Sequence, residues 1–89
     1  MTKRIKPLAM PELAQPLTPE LLGQAIRARR TQSHLRLEDT ALLCGVAKQT
    51  LLNIEHGYPS CQLNTILQVC TGLGIKLRIL PWHEGDENG

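Results

Sequence analysis

Lys48, Gln49, Leu52 and Asn53 recur at a spacing that sets them along one stripe of a helix. The amides of Gln49 and Asn53 each carry a donor and an acceptor side by side, which suits bidentate pairing with adenine. Lysine can donate to guanine, and leucine can meet a thymine methyl. Around this stripe Arg27, Arg36, Thr50 and His56 offer cations, a hydroxyl and an imidazole, the chemistry of phosphate contact. His56 near a helix end also suits the helix dipole. Catalysis is not indicated. His34, His56 and His83 share no metal-like spacing, and the chain has no Ser/His/Asp set and no glycine-rich phosphate loop. The expectation is a non-enzyme without metal or cofactor. A polar helix face is ordinarily just solvated, so this stripe gains meaning only from the elements that hold it.

Those elements are read from residues 37–55. Ala41 precedes Gly45 by four positions, and a small residue there lets a second helix cross close above the first. Gly45 falls where the chain must turn sharply, in a left-handed conformation that costs glycine little. Val46, Leu51 and Ile54 follow at spacings that share one inward face. Small residue, glycine, then apolar residues one, six and nine positions later is the helix-turn-helix pattern, whose second helix enters the major groove. The spacing predicts a helix over Leu37–Cys44 and another over about 48–56, ended by Gly57.

Over residues 22–73 the chain resembles the Cro/cI (XRE) helix-turn-helix family. The residues that carry the resemblance are Gly23, Ile26, Arg27, Arg30, Ala41, Gly45, Val46, Thr50, Leu51, Asn53, Ile54, Glu55, Gly57, Leu63 and the Leu73-Gly74 pair. The resemblance implies a mainly α fold, a four- to five-helix lambda-repressor-like domain that binds double-stranded operator DNA. It also implies that Arg30 pairs with Glu55, tying the first helix to the end of the third. The sequence departs from the family where Arg36-Leu37 replaces the usual Thr-Gln at the start of the second helix. Leu37 cannot reach a phosphate as that glutamine does, although Arg36 can, and the helix loses its usual cap. Thr40 occupies a position normally given to leucine. Leu42 and Leu43 stand where charged residues are usual; with Leu37 they would form either a patch for a protein partner or part of a wider, slackly packed core.

The tail Gly-Ile-Lys-Leu-Arg-Ile-Leu-Pro resembles the HipB branch of the family. This second resemblance implies an antitoxin that autoregulates its operon and binds a HipA-like serine/threonine kinase toxin, in some systems with a further small antitoxin protein. A stand-alone or phage-type regulator without a toxin is the alternative. So is a protein-interaction module whose helix-turn-helix no longer binds DNA, which Leu37 would favour.

Composition bounds these readings. With 89 residues there is one domain, and a chain this short buries only ~60–65% of its unfolded surface, so self-association would help it. Phenylalanine is absent and the only aromatics are Tyr58 and Trp82, which leaves Leu, Ile, Val and Ala to build the core. A net charge of +2 means that any basic surface must come from placement of charge. Cys44, Cys61 and Cys70 are odd in number and lack C-x-x-C spacing, so they read as reduced thiols, with Cys44 and Cys70 in the core. No apolar run is long enough to span a membrane, and no signal core follows the start, so a cytoplasmic protein is expected.

The flanks complete the layout. Residues 1–17, with Pro7, Pro11 and Pro16 and a basic cluster of Lys3, Arg4 and Lys6, read as an arm. It is either a solubilising terminus or a segment that touches phosphate or a partner. The helix-turn-helix domain is expected over 18–74, opened by Thr18-Pro19-Glu20 as cap, first-turn proline and dipole partner. Leu63, Ile66, Leu67, Cys70 and Leu73 predict a fourth helix with a core stripe, ended by Gly72 or Gly74. Residues 75–81 alternate as a strand, with Ile75, Leu77 and Ile79 on one face. No second strand is evident, so this one is expected to pair antiparallel with its copy across a homodimer. Residues 82–89 read as a polar tail.

Overall fold

A computed structural model of the chain describes residues 4–82. Lys3, His83 and the acidic tail lie outside the described residues. Four helices follow in order: α1 (Pro19–Gln32), α2 (Leu37–Cys44), α3 (Lys48–Glu55) and α4 (Leu63–Leu73).

Helix α1 starts where Thr18 leaves the extended region, and its hydroxyl accepts from Leu21 N–H at 3.0 Å. Pro19 takes the first turn, where its missing N–H costs nothing. Helix α2 opens at Arg36 without a side-chain cap, and Glu38 and Asp39 in its first turn face the positive end of the dipole instead.

All four helices end the same way. In each, two backbone N–H groups just past the end reach back to carbonyls of the last turn: Leu35 to Arg30, Val46 to Ala41, Tyr58 to Asn53 and Ile75 to Cys70, each with its inner companion bond. This closure needs one left-handed residue. Gly45, Gly57 and Gly74 supply it for α2, α3 and α4; for α1 it is His34, with φ 57°. Histidine occupies that region at some cost in backbone energy, held there by the bonds on either side.

The core is Leu22 and Ile26 from α1, Ala41 and Cys44 from α2, Leu51 and Ile54 from α3, and Val69, Cys70 and Leu73 from α4. Val46 and Leu37 pack partly buried against it. That corrects the patch expected from Leu37, Leu42 and Leu43: Leu37 turns inward, while Leu42 stays 83% and Leu43 60% exposed. The stripe of α4 also lies differently from the one expected. Val69 is fully buried, whereas Leu63 and Leu67 fall on the outer flank, exposed.

Gly23 marks the closest approach between helices. A Cβ there would stand 2.5 Å from the carbonyl oxygen of Ile54 and 2.7 Å from that of Glu55. Only a residue without a side chain lets the last turn of α3 lie on α1 at this distance.

Residues 75–80 form no backbone ladder with the other described residues. Ile75 packs partly buried on the core, and the segment then runs outward, with Ile79 90% exposed. The arm is docked, though it has no regular structure. Leu8 N–H donates to Thr31 Oγ1 at 3.0 Å, and Leu8 O accepts from Gln32 Nε2 at 2.7 Å. No helix among the described residues is long and apolar enough to cross a membrane.

Thr40 is buried completely, and its hydroxyl finds no hydrogen-bond partner. A stranded hydroxyl loses its water without replacement, at a cost of ~1–3 kcal/mol. Thr40→Val keeps the shape and removes the cost, so it is expected to stabilise the protein by about 1 kcal/mol. Chemical denaturation measures this; an unchanged or lower midpoint would mean that the hydroxyl is satisfied.

Candidate nucleic-acid interface

Helix α3 buries Leu51, Ile54 and Glu55 and turns its opposite side outward. Lys48, Gln49 and His56 are exposed on that side, with Leu52 and Asn53 half-buried between them. The stripe seen in the sequence is therefore one continuous surface. Thr50 sits at its edge, half-buried. With Asn53 it lines a shallow polar concavity shared with Ser60, Gln62 and Thr65 at the start of α4.

Two bonds hold this surface in the free chain. Gln49 Nε2 donates to Asn53 Oδ1 at 2.9 Å, one turn apart. The pair orders both amides relative to each other. Lys48 Nζ lies 3.3 Å from Glu38 on α2, with both side chains more than half exposed. Such a pair contributes little and yields readily to a competing partner. The Glu38 carboxyl is held below its usual range, first by a hydrogen bond from its own backbone N–H and then by Lys48. His56 caps the end of α3, its ring 5.7 Å from that of Tyr58 and tilted 59°.

The helix is positioned from behind by Arg30 and Glu55. Arg30 Nε donates to Glu55 Oε2 at 2.6 Å and Nη2 to Oε1 at 2.9 Å, a bidentate fork. The remaining nitrogen, Nη1, donates to Leu35 O at 2.9 Å. One guanidinium thus joins the end of α1, the turn before α2 and the end of α3. The Glu55 side chain is 2% and that of Arg30 11% exposed, so water screens the pair little.

The three arginines near the end of α1 divide their work. Arg29 Nε donates to Leu73 O at 3.0 Å and closes the last turn of α4. Arg27 is exposed and shares a face of α1 with Gly23 and Arg30, the face that meets the end of α3. Arg36 is exposed at the amino end of α2. Of the residues proposed for the C-terminal strand, Ile75 is engaged with the core, while Leu77 and Ile79 are exposed.

One positioning residue escaped the sequence reading. Gln68 on α4 donates through Nε2 to Cys44 O at 2.8 Å and Gly45 O at 3.2 Å, clamping the corner between α2 and α3. Its partners are main-chain carbonyls, and nothing in side-chain spacing signals such a bond. The thiols of Cys44 and Cys70 are buried, and burial pushes both above their ordinary range. Among the described residues, no three His, Cys, Asp or Glu side chains gather as a metal site would require.

Glu55→Ala strands the Arg30 charge in a nearly dry site. Breaking one side of a buried pair typically costs ~3–5 kcal/mol. The variant is expected to lose most of that in thermal unfolding, and a melting temperature equal to the parent's would remove the pair from the account.

The family comparison agrees with this geometry. The helix-turn-helix family profile matches residues 26–80, more than half of the chain. An uncharacterized HTH-type transcriptional regulator, y4mF, of Sinorhizobium fredii is 32% identical over 80 residues, covering 90% of this chain and 91% of that protein. From the match across the corner and both flanking helices, the chain belongs to the helix-turn-helix family.

Proposed function

We propose that the chain is a sequence-specific DNA-binding transcriptional repressor that acts as a homodimer. The observation that carries this is the outer face of α3, where Lys48, Gln49, Leu52 and Asn53 form one surface on a helix fixed from behind by Arg30 and Glu55. Its amides suit base edges, and Arg27, Arg36, Thr50 and His56 around it suit phosphates. The family and the name of its relative in S. fredii point the same way.

Replacing Gln49 or Asn53 by Ala is expected to cost ~1–3 kcal/mol on the operator and to relax base choice there. Gel shifts on the chain's own promoter and on randomised sites measure this. Native affinity and selectivity in both variants would assign recognition to another surface.

The dimer reading rests on unpaired apolar surface. Leu63 and Leu67 on α4 are exposed, and Leu67 lines a concavity with Ile75 and Leu77. Ile79, Leu80 and Trp82 continue the exposed apolar run. Residues 75–80 carry backbone donors and acceptors without a ladder partner among the described residues, which an antiparallel copy of the same segment would satisfy. Two-fold symmetry would set the recognition helices about one DNA turn apart, ~34 Å, on a palindromic operator. Leu77→Pro is expected to yield monomers with greatly weakened operator binding. Light scattering decides it: a dimer of unchanged affinity would move the interface to the outer flank of α4 alone.

A finer role follows from the HipB-like C-terminal run. In this reading the protein is the DNA-binding antitoxin of a HipBA-like operon, and a HipA-like kinase binds away from α3. Leu42 and Leu43, exposed on α2, offer that partner an apolar foothold. Co-expression with the neighbouring gene tests it: copurification of a serine/threonine kinase is expected, and a neighbour of unrelated chemistry would leave a stand-alone regulator.

A further inference from the structure

Two segments distant in sequence bring cationic and imidazole side chains to one corner. Arg4 and Lys6 come from the arm, His34 and Arg36 from the turn between α1 and α2. With Ile5 and Pro7 they line an open concavity of about 750 Å³, and among the described residues no carboxylate lines it. The side-chain ion pairs among the described residues are Arg30–Glu55 and Lys48–Glu38, and none of these four groups takes part in either.

The arrangement is held on both sides. Leu8 is bonded to Thr31 and Gln32, which fixes the arm along α1 just past Arg4 and Lys6. Pro7 restricts the backbone between them. Opposite, His34 is kept in the left-handed region by the closure of α1, with its N–H on Thr31 O and that of Leu35 on Arg30 O. These hydrogen bonds thus gather like charges that would otherwise separate. A polyanion relieves that repulsion.

We propose that the docked arm and the α1–α2 turn form a phosphate clamp that grips duplex DNA beside the groove entered by α3. This rests on the DNA-binding reading above, because Arg36 stands at the amino end of α2, the helix that leads into α3. The clamp reads no bases. Arg4, Lys6 and Arg36 neutralise backbone phosphates, His34 donates to one, and counterions leave as they bind.

The test uses the full chain and its Arg4→Ala/Lys6→Ala variant, on a promoter duplex and on an unrelated duplex, across a salt series. Each lost phosphate contact is expected to flatten the slope of log K against log salt by ~0.9, about 2 per protomer for the pair. Affinity for both duplexes should fall by the same factor. Phosphate-ethylation interference on the promoter should lose the positions those residues touch and keep the rest. Thr31→Val/Gln32→Ala keeps every charge but removes both side-chain partners of Leu8 and so releases the arm, and it too should weaken both duplexes alike. An unchanged slope and interference pattern in the double variant would overturn the clamp while leaving DNA binding intact. So would a loss confined to the promoter, which would make the arm a base reader, or native affinity in Thr31→Val/Gln32→Ala. If the unaltered chain binds neither duplex, the DNA-binding reading fails and the clamp fails with it.

Discussion

The fork between Arg30 and Glu55 is the constraint on which the rest of the structure depends. It joins the last turn of α1 to the last turn of α3 and, through its third nitrogen, to the turn that launches α2. Two charges so little exposed lose most of their hydration, and an ion pair recovers that loss only with good geometry and satisfied lone pairs. Here both carboxylate oxygens and three guanidinium nitrogens are engaged. The net gain in stability from such a pair is small; what it fixes is direction. With α3 lying carbonyl-close over Gly23, neither rotation nor slippage of the helix is compatible with the pair.

Around that pair the fold uses backbone carbonyls as fixed points. Arg29 holds the end of α4, Gln68 holds the corner after α2, and each helix closes on itself through one left-handed residue. Short helices cannot hold their own ends by length, so these bonds do it for them. The consequence for function is a stiff outer surface on α3. Gln49 and Asn53 are already bonded to each other before any ligand arrives. A helix so held loses little further freedom on binding, which favours discrimination between sites.

What was legible in the sequence was local. Ala41, Gly45, Val46, Leu51 and Ile54 define the corner within fourteen positions, and the four helices follow from their caps and periodicity. Long-range bonds to main-chain atoms were not legible, since Gln68 and Arg29 carry no mark of which carbonyl they will meet. The α4 stripe misled for a different reason. Leu63 and Leu67 repeat at helical spacing as core residues do, yet the inner face runs through Ile66, Val69, Cys70 and Leu73, which fit the same period one step round the helix. The pairing of Arg30 with Glu55 was suggested by family resemblance, because no spacing rule links positions twenty-five apart. Thr40 shows the limit from the other side: a leucine position holds a threonine, and the core keeps its shape around a stranded hydroxyl.

The central claim is that α3, held from behind, presents its outer face to DNA. Nuclear magnetic resonance during titration with promoter duplex tests it most directly. The largest amide and side-chain shifts are expected on Lys48, Gln49 and Asn53, while the Arg30 Nε–H, bonded to Glu55, keeps its position. Shifts centred on Leu42 and Leu43 or on residues 75–80, with α3 unmoved, would contradict it.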